Sequence, residues 1–213
     1  DDLELAVLAA EAGMDTQPWD YWEAGGKEPK GRTADIEKRL EGVLARAPDN
    51  PHAIHLYIHL VEASDRPERA ERYADRLAAL MPAAGHIVHM PSHIYFRVGR
   101  YADSLTANRA AEKVDETYIA ETGATGVYPI GYYSHNVHFV LVSAQLLGDA
   151  KAVLASAEKL DKWLGNDVAT AIPIAQPVNA APYFAWAQYG DPDMVLALSD
   201  PVGAPPYVKA MRH

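Results

Sequence analysis

The chain has 213 residues, of which 49% are hydrophobic and 23% charged, a balance typical of a folded protein with a substantial core. Its formal charge of −10, with no run of lysine and arginine, argues against nucleic acid as a partner. No apolar run approaches about 20 residues, so no membrane span is expected. Cysteine is absent, which removes thiolate chemistry and leaves both the cytoplasm and the periplasm open as compartments.

The first part of the chain is predicted to be helical. Residues 3–13 show the apolar spacing of an amphipathic helix, and a second such pattern runs from Thr33 to Pro48. Between them, Trp19 and Trp22 are interpreted as packing residues. The chain begins inside the first helix and without a methionine, so we expect a fragment or a processed form.

Histidine supplies the strongest pattern in the sequence. Eight of the nine histidines fall into three clusters of common spacing, namely His52, His55 and His59, then His86, His89 and His93, then His135 and His138. The second cluster follows the first by 34 residues at every position (86 − 52, 89 − 55 and 93 − 59). Steps of three, four and seven residues return side chains to one face of a helix, so each cluster should line one face.

A period of 34 residues with two helices is the length of the tetratricopeptide repeat (TPR). Residues 99–111 resemble the turn and second helix of such a repeat, and residues 65–82 match the same half, with Ala70 and Pro82 at signature positions. Together with the histidine helices and the Trp-rich segment 18–22, these stretches resemble a group of bacterial TPR proteins known as longer chains with further N-terminal repeats. The resemblance implies an all-α solenoid of antiparallel helix pairs, and it brings no settled activity.

The resemblance also divides the chain into five parts. They are a degenerate N-terminal helical repeat at 1–48, two 34-residue repeats at 49–116, an inserted loop at 117–133, a third repeat at 134–164 and an irregular C-terminal helical cap at 165–213. The insertion is inferred because Gly148 follows Gly99 by 49 residues (148 − 99), which is 34 plus 15.

In TPR proteins generally, the places that the histidines occupy line the concave groove; this position is implied by the resemblance. Repeat copying alone is an alternative explanation for the recurring histidines. Copying should, however, also preserve their neighbours, and Tyr57 and Glu62 are replaced by Pro91 and Phe96 in the next repeat. A shared chemical task is therefore favoured. Pro91 itself should kink its helix and redirect His93.

Metal binding is the task that suits these residues best. Neutral imidazole is the commonest metal-ligating side chain, and pairs at i,i+3 or i,i+4 chelate from one helix. The predicted ligands are His52, His55, His59, His86, His89, His93, His135 and His138. Glu62, one turn beyond His59, can add a carboxylate or orient an imidazole, and an ordinary solvated charge is an equally open interpretation. The ligand set suits transition metals and does not distinguish copper, zinc and iron.

The sequence thus predicts a metal-binding, TPR-like protein holding one or more transition-metal ions, with a multinuclear metal-dependent oxidoreductase as its enzymatic form. No catalytic residue can be named. The alternative is a TPR scaffold that binds a peptide, or another protein or small-molecule ligand, in the histidine-lined groove. His213 is terminal and lies outside the pattern.

Overall fold

Helices make up the fold throughout residues 2–198 and 201–213, the part of the chain that the computed structural model describes. Within those residues the β-type pairing is an isolated bridge between Trp22 and Pro29. None of the described helices combines the length and apolar character needed to cross a membrane. The predicted all-α class is therefore confirmed. The chain divides into two compact units, Asp1–Arg100 and Tyr101–His213, each described by itself.

The first unit is built from six α-helices in its described residues. They are α1 (Leu3–Asp15), α2 (Thr33–Arg46), α3 (Pro51–Val61), α4 (Glu71–Leu80), α5 (Gly85–His89) and α6 (Pro91–Arg97). The start of α3 is well specified, because the Asn50 side chain accepts a hydrogen bond from the Ala53 amide and Pro51 occupies the first helical position. This fixed start sets which side chains of α3 point into the core.

The core of the first unit collects the apolar faces of α1 to α4 and α6. Ile54 and Ile58 of α3 are fully buried there, with Leu40 of α2 and Leu77 of α4. The histidines of α3 occupy other positions on the same helix and are half-buried. One helix therefore combines a packed apolar face with a row of imidazoles, as the spacing predicted.

The second histidine helix is interrupted where the sequence predicted it. Helix α5 ends at His89 and α6 begins at Pro91. Proline has no amide hydrogen to donate to the preceding turn, so the hydrogen-bond ladder is broken at this point. Met90, between the two helices, keeps helical backbone angles and is fully buried. The two parts are held in place from both sides of the break.

The Trp-rich segment between α1 and α2 is fastened to the end of α3. The indole Nε1 of Trp22 donates to the carbonyl of Leu60 at 2.6 Å, and the Asp65 amide donates to the Gly26 carbonyl at 2.9 Å. Gly26 has φ +73°, and a Cβ placed on it would lie 2.6 Å from the Asp65 backbone nitrogen. Only glycine fits this close approach without strain.

Gly26→Ala should therefore destabilise the first unit by about 1–3 kcal/mol or more, because a left-handed backbone and a backbone clash are combined at one position. Gly25→Ala is the matched control, since Gly25 also has a positive φ but its Cβ would meet nothing within 4 Å. Urea unfolding of both variants measures the difference. Equal losses in the two variants would contradict a role for the Gly26–Asp65 contact.

The second unit contains seven α-helices and a π-helical turn in its described residues. They are α7 (Tyr101–Thr122), the π-helix Tyr128–Tyr133, α8 (Ser134–Leu147), α9 (Ala150–Trp163), α10 (Asn166–Ala171), α11 (Gln176–Tyr189), α12 (Pro192–Leu196) and α13 (Pro206–Arg212). Its main core is formed by α8, α9 and α11, and a smaller one by Ala169, Ala180, Ala204 and Val208.

Two features differ from the division that the repeats suggested. The boundary between the units follows Arg100 and so falls inside the two repeats expected at 49–116. The segment 117–133, expected to be an inserted loop, continues α7 as far as Thr122 and ends in the π-helix. Residues 117–122 contain no glycine or proline, so the helix continues until Gly123, where φ is +65°.

Candidate metal centre

Five histidines of α3, α5 and α6 form a closed ring of neighbours in the first unit. Their ring centroids are separated by 5.0 Å for His55–His59, 5.2 Å for His59–His93, 4.7 Å for His93–His89, 6.0 Å for His89–His86 and 5.0 Å for His86–His55. The 34-residue offset brings this about, because equivalent positions of successive histidine helices lie side by side. The predicted convergence of these five imidazoles is present.

Three of them offer donor atoms for a single ion. The ligand atoms of His55, His59 and His86 all lie within 4.8 Å of one another, and the Nε2 atoms of His55 and His86 are 3.1 Å apart. In a tetrahedral zinc site with Zn–N near 2.0–2.1 Å, neighbouring nitrogens are separated by roughly 3.3 Å. The spacing of His55 and His86 is therefore close to that of two ligands of one metal ion.

Glu62 lies between two members of the ring. Its Oε1 is 3.0 Å from Nδ1 of His59, and its Oε2 is 2.6 Å from Nδ1 of His93. Burial of Glu62 acts to raise its pKa, but the interactions with His93 and His59 outweigh this effect and hold the pKa below its ordinary value. Glu62 is therefore ionised at neutral pH. Its carboxylate also forms a second group of possible ligands with His59 and His93.

His89 and His93 form the most buried pair of the ring. His89 is fully buried, His93 is 8% exposed, and their Nε2 atoms are 2.8 Å apart. On its other side, Nδ1 of His89 lies 3.3 Å from the hydroxyl of Ser92. Both nitrogens of each ring are thus engaged with polar atoms of known identity.

Burial keeps the half-buried histidines of the ring uncharged. It lowers the pKa of His55 to about 3, with repulsion from the neighbouring imidazoles as a further cause, and it lowers the pKa of His86 to about 4 for the same reasons. Metal ligands must be unprotonated, and both side chains meet this condition at neutral pH.

The other predicted ligands lie in different surroundings. His52 joins none of the histidine groups found among the described residues, and its Nε2 lies 3.3 Å from a carboxylate oxygen of Glu11 in α1. His135 packs against the Phe139 ring in the second unit, and burial lowers the pKa of His138, one turn further along α8, to about 4. A ligand role for these three histidines stays a prediction.

Trp19 is a neighbour of the ring that sequence reasoning missed. Its indole lies edge-on to His59, with centroids 6.5 Å apart, and is 70% exposed, so it does not serve as the buried packing residue that was expected. Its backbone has φ +59°, an uncommon value for a residue other than glycine. No pattern in the sequence predicts that conformation. Strained residues of this kind occur preferentially at functional sites.

Comparisons with models of protein families, with curated proteins and with solved structures find no match for this chain.

Proposed function

We propose that the protein binds transition-metal ions through the histidine ring of its first unit, beginning with an ion held by His55, His59 and His86. One observation carries this proposal: three imidazole donors from two helices lie within 4.8 Å of one another. Two of these donors, His55 and His86, are kept neutral at physiological pH by burial. Clustering neutral imidazoles is costly for packing, and a shared ion gives their arrangement a purpose.

The donor types restrict the metal. Imidazole nitrogens with one neighbouring carboxylate, and no sulfur, suit copper, zinc or iron. A multinuclear, metal-dependent oxidoreductase is the enzymatic form of the proposal, and it would require copper or iron as the resident ion. Storage or delivery of metal would use the same ligands.

The TPR-like solenoid is part of the same proposal. It is supported by the 34-residue offset of the histidines and by the packing of α1 against α2, α3 against α4, and α8 against α9. The alternative, a scaffold that binds a peptide on its histidines, receives less support. His89 is fully buried and the rest of the ring is at most half-exposed, which leaves little imidazole surface for a peptide.

Metal uptake tests the proposal directly. Purified protein should contain, or take up from micromolar zinc or copper(II), at least one ion per chain, because preorganised donors lower the cost of assembling the site. Elemental analysis gives the content, and calorimetric titration gives the stoichiometry and Kd. Protein that stays free of copper, zinc, nickel and iron(II) under these conditions would refute metal binding and favour the peptide scaffold.

A further inference from the structure

Two close nitrogen pairs occupy opposite edges of the histidine ring. At one edge, the Nε2 atoms of His55 and His86 are 3.1 Å apart; at the other, the Nε2 atoms of His89 and His93 are 2.8 Å apart. Each separation is near the roughly 3.3 Å expected between two ligands of one tetrahedral ion. A single four-coordinate ion cannot use both edges together with His59, because five imidazoles exceed its ligand number.

Glu62 determines which nitrogen carries the proton in two of these rings. An ionised carboxylate only accepts hydrogen bonds, so Nδ1 of His59 and Nδ1 of His93 must both be protonated to bond to it. In a neutral imidazole this leaves Nε2 as the metal-binding atom. Glu62 therefore prepares His59 for an ion at one edge of the ring and His93 for an ion at the other.

The hydrogen bonds of His89 then follow. Because Nε2 of His93 is an acceptor, the contact of 2.8 Å requires that Nε2 of His89 carries a proton in the metal-free protein. Nδ1 of His89 must then accept from the Ser92 hydroxyl, 3.3 Å away. A metal ion on Nε2 of His89 would displace that proton. Nδ1 would take it up and donate to Ser92, whose hydroxyl can accept as well as donate.

We propose that the first unit holds two metal ions, the second on His89 and His93, that Glu62 positions ligands of both, and that His89 exchanges its Nε2 proton for an Nδ1 proton when the second ion binds. This inference rests on the proposed metal-binding function. The negative charge of Glu62 also suits it, since two divalent ions among neutral imidazoles in a largely buried site need a nearby anion.

Zinc titration of the full chain tests the number of ions. Calorimetry and native mass spectrometry should give two ions per chain for the unmodified protein and one for His89→Ala. Glu62→Ala should weaken zinc binding at both positions by about 10–100-fold, the usual effect of removing a carboxylate that orients a ligand. Glu62→Asp should recover part of the loss, and Glu68→Gln, at an exposed carboxylate nearby, should change neither position.

Nitrogen-15 NMR of the histidines tests the protonation states without any substitution. Metal-free protein should show His59 and His93 protonated at Nδ1 and His89 at Nε2, and zinc should convert His89 to the Nδ1 form. If His89→Ala fails to fold by circular dichroism, this measurement and His89→Gln still decide the matter.

One bound zinc ion, unchanged binding in Glu62→Ala, or a His89 proton that stays on Nε2 would each overturn the two-ion inference while leaving metal binding intact. Absence of any zinc binding would instead refute the proposed function itself, and the inference with it.

Discussion

Replacing His55 with alanine should lower metal affinity by at least about 100-fold, more than the 10–100-fold typical of losing a carboxylate that merely orients a ligand. His55 has imidazole neighbours on both sides, with ring centroids 5.0 Å from both His59 and His86, so its removal opens the ring at the edge where the first ion is proposed. Elemental analysis of protein dialysed against a weak chelator gives the retained metal, and calorimetry gives Kd.

Two histidines provide matched controls for this substitution. His213→Ala removes an exposed terminal imidazole and should leave affinity unchanged. His52→Ala removes a histidine of the same helix that lies against Glu11, and it should cost far less than His55→Ala. If His213→Ala or His52→Ala released as much metal as His55→Ala, the ligand set would be wrongly assigned.

In the presence of a chelator, the melting temperature of the protein should fall as the pH is lowered from 6.5 towards 4. His55 and His86 have pKa values of about 3 and about 4 in the folded chain, below the ordinary value of 6.5. Between these values the unfolded chain binds more protons, so acidification favours unfolding. The stability that these groups contribute is complete above pH 6.5 and is lost as the pH falls through the folded values. We expect a loss of about 2 kcal/mol or more, which is roughly 4–8 °C in Tm.

Bound metal should add stability to this curve at high pH and lose it on acidification. At zinc concentrations near 100 times Kd the added stability is about 2.7 kcal/mol at pH 8, and it should disappear below pH 6.5 as protons compete for the imidazoles. Differential scanning fluorimetry with zinc or with chelator, from pH 8 to pH 5, measures both curves. Coincident curves over the whole range would contradict a metal site. A peptide scaffold predicts the opposite trend, since protonated histidines would bind an acidic peptide more tightly at low pH.

The ring of five histidines was predictable because it depends on periodicity. A constant offset of 34 residues places His55 and His89 at equivalent positions of successive helices, and the apolar residues between them show which face is buried. The role of Glu62 was predictable only as one of several options. Its spacing from His59 gives one contact, but the contact with His93 depends on how two helices pack, which the helical period does not specify.

Long-range pairing and backbone conformation account for the features that were missed. Glu11 meets His52 because α1 packs near α3, and nothing in the local sequence of either residue indicates this. The left-handed backbone of Trp19 is equally unpredictable, because positive φ is normally signalled by glycine or asparagine. The predicted loop at 117–133 is helical as far as Thr122, since its first six residues lack a helix-breaking residue.

The position of Trp19 gives the site a built-in optical reporter. Its exposed indole stands 6.5 Å from the His59 ring, a distance at which a bound paramagnetic ion such as copper(II) quenches tryptophan fluorescence efficiently. A closed-shell ion such as zinc lacks this quenching route. Stopped-flow fluorescence can therefore follow the arrival of an ion at His59 in real time, and the contrast between copper and zinc separates occupancy of the site from a change in the fold.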